Sequence, residues 1–509
     1  MGNRDTQAAW RYHNGTKHPG GFLMDYRHRF DPSNQPLLFK IYTDLEAIPL
    51  PLDSASSGVS ALSAIAENAA MVDESRIPDL PALTRLLWFS AGITKKITYA
   101  WGEMLFRAAA CTGALYHIEL YVVCGNLPGL GAGVYHFAPH DLALRRLRAG
   151  DYRPVLVEAS ASEPSVAHAP AMIVYTDVFW RNAVKYQARE YRHAFWDSGT
   201  ILSHTLAMAA AHRLPAKVVM GFVDADVNRL LDLDAEREAA LVLVPIGYEP
   251  DIHAQAAPDT PALNLRTAPI SDSDIIFPAI TAMHEASTLS DTAEVASWRG
   301  KTPGIDPPVP DGQVFPLRLE GELPPDSIEE VIIRRGSTRK FSHEAISFQQ
   351  LSIILNQATR GIPADFLEPP GATLNTIYLI VNAVDDLPSG AYVFHRDRKA
   401  LELLKAGDFR ERAGLLGLQQ ALPYDAGVNV YLMADLQVVL ERYGNRGYRA
   451  AQLDASITAG RIYLAAYALG IGATGLTFFD DMVTEFFSPH ARNKSAMFLI
   501  ALGKKAGRK

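Results

Sequence analysis

The densest group of phosphate-seeking side chains in this chain is RRGSTRKF, residues 334–341. There Arg334, Arg335, Ser337, Arg339 and Lys340 follow an apolar, helix-like run. Guanidinium forks and a hydroxyl hold a phosphate through charge-assisted hydrogen bonds. A second basic group, Lys504, Lys505 and Arg508, follows the last apolar run. Between the two in sequence, Gly472, Thr474 and Gly475 in GATGLTFFDD read as a tight, hydroxyl-bearing turn. Glycines at such a junction let a flat ligand approach the backbone. Taken singly, each basic run reads as a solvated face. With the glycine turn they point to a flat cofactor that carries phosphate. The alternative fingerprints are absent, since there is neither a GxGxxG after a strand nor a GxxxxGK[ST].

The elements that must position these residues occur twice. YRAAQLDASITAGRIYLAAYALGI leads into GATG, and YRHAFWDSGTILSHTLAMAAAHRL leads into PAKVVMGFVDAD. Tyr191, Arg192, Asp197 and Phe222 recur 257 positions later as Tyr448, Arg449, Asp454 and Phe479, and Gly150-Asp151 recurs as Gly407-Asp408. A fixed offset across several residue types identifies an internal repeat. The copies differ where chemistry belongs: Pro215, Lys217 and Val218 stand in the first copy at the glycine turn of the second, and proline there removes an amide donor. Asp197 and Asp454, sharing a repeat position, read as anchors for Arg192 and Arg449. Asp480-Asp481 read as surface acids.

Helical patterns interspersed with single β runs give a mixed α+β module. Residues 1–80 form an irregular extension with one short helix in GVSALSAIAENAAMV, 81–250 the first module, 251–315 a Pro- and Asp-rich linker, and 316–509 the second module. LTRLLWFSAGITKKI reads as helical and LALRRLRAG as a turn with a short helix. Ser327 with Glu330 three residues on reads as a capping box.

Composition bounds the function. The 509 residues carry a formal charge of -8 with no long basic block, so nothing in that balance favours nucleic acid or an anionic membrane surface, and neither is expected as a partner. No run reads as a spanning helix, and the polar N-terminus does not read as a signal peptide. Two cysteines, Cys111 and Cys124, form no metal pattern and suit a reducing, cytoplasmic setting. His193, His204 and His212 share no HExxH spacing, so no metal site is expected.

RRGSTRKF, the stretch RAAACTGALYHIELYVV, the long helix ending GIGATG and the basic tail resemble the FMN-dependent nitroreductase superfamily. YHNGTKH, LTRLLWFSAGIT, GVYHF and KYQAREYRHAFWDSG resemble, more narrowly, its SagB/azoline-oxidase-type dehydrogenase branch in tandem form. The resemblance implies a nitroreductase-like fold in two copies that form an internal pseudo-dimer, with FMN at the seam. Arg334, Arg335, Ser337 and Arg339 would be the phosphate cradle, Gly472, Thr474 and Gly475 the turn by the ring, and Lys504 with Arg508 the basic tail. Ala110, Cys111, Thr112 and Ala114 would be the loop that the other module brings beside the ring, although the family often has Pro-Ser where this chain has Ala110-Cys111.

The reciprocal cradle would be Tyr12, His13, Thr16 and Lys17, and it reads as impaired, so one FMN per chain is expected. The resemblance also marks Lys185 and Tyr186 as the pair that handles a proton while the flavin takes hydride. In the second module the pair is Arg442-Tyr443, and arginine is a poor base. The bland alternative is an exposed lysine beside a packing tyrosine. The implied activity is FMN-dependent oxidoreduction, hydride passing between flavin N5 and a small or modified-peptide substrate, dehydrogenation of a heterocycle favoured, with NAD(P)H or dioxygen as electron partner. The alternatives are an NAD(P)H-dependent nitro or quinone reductase and a flavin-free binding scaffold. A monomeric pseudo-dimer and a homodimer both remain open.

Overall fold

The computed structural model describes residues 2–19, 31–53, 55–67, 74–99, 102–250, 256–304 and 309–507. Its axis is a pair of long helices, Glu190–Ala211 and Arg446–Ala468, each buried along almost its whole length. Their small residues explain how they meet. Gly199 faces Ser456 and Gly460 faces Ser203, so closely that a Cβ on either glycine would fall 1.8 and 2.4 Å from the respective hydroxyl oxygens. The buried hydroxyls are satisfied by backbone carbonyls: Ser456 donates to Phe195 of the other helix and Ser203 to Thr200 of its own. Any larger residue at these glycines would force the helices apart.

Each module carries an antiparallel sheet. The first runs, in spatial order, Ala47–Pro49, Ala143–Ala149, Gly133–Ala138, Ile118–Cys124, Ala171–Val178 and Glu238–Ile246. The second repeats that order as Gln313–Pro316, Ala400–Ala406, Gly390–His395, Asn375–Val381, Val428–Ala434 and Ser495–Gly503, then adds Gly472–Leu476. The registers agree, with Ile118 opposite Asp177 and Asn375 opposite Ala434, each 257 positions on. This is a mixed α+β arrangement in two copies.

Several local expectations are corrected. Gly472–Leu476 is an edge strand rather than a turn. Its first-module counterpart makes isolated bridges, Ala216 with Ile246, Val218 with Ala364 and Val219 with Leu243. LALRRLRAG is strand, because pairing on both sides overrides the helix-favouring leucines and arginines. The helix Leu80–Ala91 stops at Gly92, and Ile93–Tyr99 then pairs with Gly102–Arg107 in a hairpin. The expected capping box at Ser327 and Glu330 is present.

The stretch 251–315 holds two helices, Pro278–Ala286 and Thr292–Trp298. The first is the twin of the N-terminal helix Gln7–Gly15, as their contacts with the axis show. Arg192 donates to the Thr16 hydroxyl at 3.0 Å and the His13 carbonyl at 2.7 Å, and Arg449 donates to the Ser287 hydroxyl and the His284 carbonyl, both at 2.7 Å. Those arginines also reach across the seam. Arg189 and Arg192 of the first module hold Asp480 of the second at 3.1 and 2.5 Å, and Arg446 and Arg449 hold Asp224 of the first at 2.7 and 3.1 Å. All six side chains are buried. Asp480 is therefore a buried clamp, not a surface acid, and Asp197 does not anchor Arg192. A swapped, self-complementary contact of this kind is the mark of a twofold interface, here within one chain.

Burial opposes ionisation of Asp480 and Asp224, but the facing arginines overcome it and hold both carboxyls below the ordinary carboxylate range. Their stabilisation is therefore complete above about pH 4 and is lost as pH falls through the depressed folded values. Asp480→Asn and Asp224→Asn are each expected to cost about 3–5 kcal/mol in urea unfolding at pH 7, because two buried guanidinium groups lose their counter-charge. Asp481→Asn, at the exposed neighbouring position, should leave the midpoint in place.

Candidate functional site

The helix Ile328–Arg334 delivers the basic cluster, and its residues divide at the helix end. Arg334 turns to Asp326 at 2.6 Å and to the Tyr467 carbonyl, on the outside. Arg335 leaves the helix in extended conformation and reaches the first module, its Nε donating to the Ala108 carbonyl at 2.8 Å. Its guanidinium lies 5.4 Å from the centroid of Tyr463, and its buried Nη1 has no partner. Ser337 accepts from the Tyr463 hydroxyl at 2.8 Å, and Thr474 is buried beside that same tyrosine. The Thr338 amide donates to the Ala473 carbonyl, and its hydroxyl stands where a Cβ on Gly472 would be, 2.5 Å away. Arg339 is exposed beside this group.

The basic tail also divides. Lys505 places its ammonium 3.9 Å from the centroid of Tyr467, whereas Lys504 points the other way, to Glu344 at 3.5 Å. Successive residues of an extended chain face opposite sides. Arg508 lies outside the described residues. The structure thus gathers Arg335, Ser337, Gly472 and Thr474 around Tyr463 and Tyr467, and sends Arg334 and Lys504 to acids elsewhere. Sequence reading missed the two tyrosines, and it named Lys505 in the basic group but gave the tail's role to Lys504 and Arg508. Tyrosines four apart on the helix that feeds the glycine strand were the available signal.

The first module supplies the facing loop. Thr112–Ala114 is a 3₁₀ turn with positive φ at Gly113, Ala114 and Tyr116, and Asp197 pins it. The Asp197 carboxylate accepts from the Thr112 amide at 2.9 Å, the Thr112 hydroxyl at 2.9 Å and the Cys111 thiol at 3.0 Å, while Thr200 donates to the Ala110 carbonyl. The Tyr186 hydroxyl sits against Gly113, where a Cβ would come within 2.9 Å. From Tyr186 a line of rings runs through His193 and Trp196 to Phe498, which borders Gly475. This line of rings links the loop to the glycine strand across the seam. Burial, with Asp197 second, raises both the Cys111 thiol and the Tyr186 phenol. Lys185 is exposed, its ammonium 5.3 Å from the centroid of Tyr186. The second-module pair is otherwise engaged, Arg442 with the Arg299 and Lys301 carbonyls and Tyr443 with that of Phe366.

The two seams are not equivalent. Beyond the glycine strand no described residue accepts from the amides of Thr477 and Phe478. Their counterparts 257 positions earlier, Met220 and Gly221, donate to Asp365 at 3.0 and 2.8 Å. Asp365 comes from the second module on a segment that also pairs with Val218 through Pro363 and its own amide. In the open seam the residue at that repeat position is Ala108. The reciprocal seam is therefore plugged by a carboxylate. The cradle assigned there is also corrected: His13 and Thr16 receive Arg192 in the clamp described above, the Tyr12 hydroxyl donates to the Ala188 carbonyl, and Lys17 pairs with Asp481. The segment that mirrors RRGSTRKF begins where Ser60 bridges Ser327, and reads ENAAMVD from Glu67, with no basic residue; of it, residues 68–73 lie outside the described residues.

A model of the nitroreductase family matches residues 62–248 and 332–504, well over half of the chain. A putative nitroreductase from Methanocaldococcus jannaschii is 24% identical over 168 residues, 33% of this chain and 80% of that one. The microcin B17-processing protein McbC of Escherichia coli is 27% identical over 136 residues, 26% of this chain and half of that protein's length. Among solved structures, a putative nitroreductase from Anabaena variabilis aligns over 98% of this chain and 99% of its own, with a TM-score of 0.76 and 25% identity. No helix among the described residues is long and apolar enough to cross a membrane.

Burial pushes the plugging Asp365 carboxyl up to about 6. With the folded value above the unfolded one, its contribution is fully present below about pH 4 and is lost as pH rises through about 6. Wild-type unfolding free energy is expected to lose roughly 2–3 kcal/mol more between pH 4 and 7 than that of Asp365→Asn. Parallel pH profiles in urea unfolding would contradict this.

Proposed function

This chain belongs to the nitroreductase family, in two tandem copies, and on that premise we propose that it is an FMN-dependent oxidoreductase with one composite site. That site lies at the seam where the second module's cradle meets the first module's loop. The observation that carries the reading is the contrast between the seams: among the described residues, one leaves two backbone amides and the Arg335 Nη1 without partners, and the other is filled by Asp365.

The residues present fit the group. Arg335, Ser337, Arg339 and Lys505 would hold the phosphate, and Gly472–Leu476 with the Thr477 and Phe478 amides would border the ring. A bound flavin supplies hydride transfer at N5. The loop Ala110–Ala114 excludes water from the opposite side. The raised phenol of Tyr186 is a proton donor and holder rather than a strong base. Lys185 becomes a base only when a bound substrate removes it from solvent. The McbC relative and the branch resemblance favour oxidation of a peptide-derived heterocycle as the reaction.

The test is a visible spectrum with released flavin counted against chains. About one FMN per chain is expected; two would overturn the plugged seam, and none after reconstitution would overturn the flavin reading. Arg335→Ala and Arg339→Ala together should weaken FMN binding at least tenfold, about 1.4 kcal/mol, while Arg334→Ala should change it far less. Tyr186→Phe should keep flavin content and lower turnover about a hundredfold.

A further inference from the structure

Behind the ring-facing loop lies a group of ionisable side chains that the reading above does not use. His117 is fully buried, with Nε2 2.8 Å from Asp197 Oδ2 and Nδ1 2.7 Å from Asp177 Oδ1. Glu190, also fully buried, brings a carboxylate oxygen to 3.4 Å from Nδ1, and neither Glu190 oxygen nor Asp177 Oδ2 has a hydrogen-bond partner among the described residues. Cys111 closes the chain on the loop side by donating to Asp197. Asp177 comes from the strand Ala171–Val178, Glu190 and Asp197 from the first axial helix, and Cys111 from the loop; Tyr186 and His193 stand at the margin.

The second module builds the same fold without this group. At the positions 257 residues on, His117, Asp177 and Glu190 become Leu374, Ala434 and Gly447, and the strand registers confirm the equivalence. Only Asp197 is kept, as Asp454, and there Asn375 donates to it at 2.8 Å. The fold therefore does not require the cluster. It is present in the module whose loop faces the open seam and absent from the one whose loop lies at the plugged seam.

The cluster's oxygens and nitrogens could be taken for metal ligands. The spacing speaks against that, since ligand atoms around one tetrahedral ion with bonds of 2.0–2.1 Å stand about 3.3 Å apart. Contacts of 2.7 and 2.8 Å at both ring nitrogens are those of an imidazolium donating to two carboxylates. Burial opposes that charge, and Asp177 outweighs it. Burial and the nearby Asp177 push the Glu190 carboxyl well up.

We propose that His117, held as an imidazolium between Asp177 and Asp197 with Glu190 behind, is a positioning residue of the composite site. It offsets the charge of Asp197, on which the ring-facing loop is anchored, and so sets the potential that a reduced cofactor meets. The role in cofactor tuning rests on the flavin reading; the charge state and its coupling to the loop do not.

The experiment has three arms on the full chain. In ¹⁵N-histidine-labelled protein without added cofactor, His117 is expected to keep both ring N–H groups well above the ordinary histidine range; a neutral ring titrating near 6.5 would overturn the assignment. The variant H117L/D177A/E190G installs the second module's set, so it should fold. There Asp197 loses its counter-charge, and Cys111 alkylation at pH 8–9 should slow at least about tenfold relative to wild type, read against Cys111→Ser as the background. An equal or faster rate would overturn the coupling, and if the triple variant does not fold, His117→Gln alone is read the same way. With flavin bound, affinity for the reduced over the oxidised form should fall about tenfold, which is about 30 mV for two electrons. An unchanged potential would overturn the tuning role, whereas a protein that binds no flavin would fail only the earlier reading, leaving the first two arms to decide.

Discussion

The swapped arginine–aspartate clamp across the seam is what the rest of this structure depends on. Two arginines at the start of each axial helix, Arg189 just ahead of the first helix and the rest within, hold one aspartate of the opposite module, and a third contact from each helix goes to a short helix before the module, Gln7–Gly15 or Pro278–Ala286. Buried ion pairs are costly to form and costlier to break, so they favour one register over slid alternatives. The close glycine–serine crossings act in the same direction, since they admit only one approach of the helices. With the modules fixed, a cradle from one and a loop from the other are fixed as well.

Covalent fusion frees the two seams to diverge, which identical subunits of a homodimer cannot do. The divergence here is concrete. One seam has Ala108, glycines on its edge strand and a buried histidine–carboxylate group behind its loop. The other has Asp365 and Pro215, and the sequence that corresponds to RRGSTRKF there reads ENAAMVD. Each substitution at the second seam removes a donor, a cation or space, and each feature at the first keeps one.

Much of this was legible in the residues. The 257-residue repeat, the capping box at Ser327 and the approach of Arg335, Ser337 and Gly472 to one another follow from sequence, because repeats, caps and basic clusters are local signals. What was not legible depends on partners far away in the chain. Asp480 reads as a surface acid until Arg189 and Arg192 arrive, Asp197 reads as an arginine anchor until the Cys111–Thr112 loop folds onto it, and Gly472–Leu476 becomes a strand only by pairing with Ser495–Gly503. The reciprocal cradle was misplaced because the first module carries an inserted hairpin, Ile93–Arg107, which breaks the fixed offset upstream.

The measurement that tests the central claim most directly is a crystal structure of the chain grown with excess FMN. The account predicts flavin density at one seam only, phosphate toward Arg335 and Ser337, ring between Gly472–Leu476 and Ala110–Ala114, with Asp365 still bonded to Met220 and Gly221. Density at the Pro215–Gly221 seam, or a flavin bound away from both loops, would contradict it.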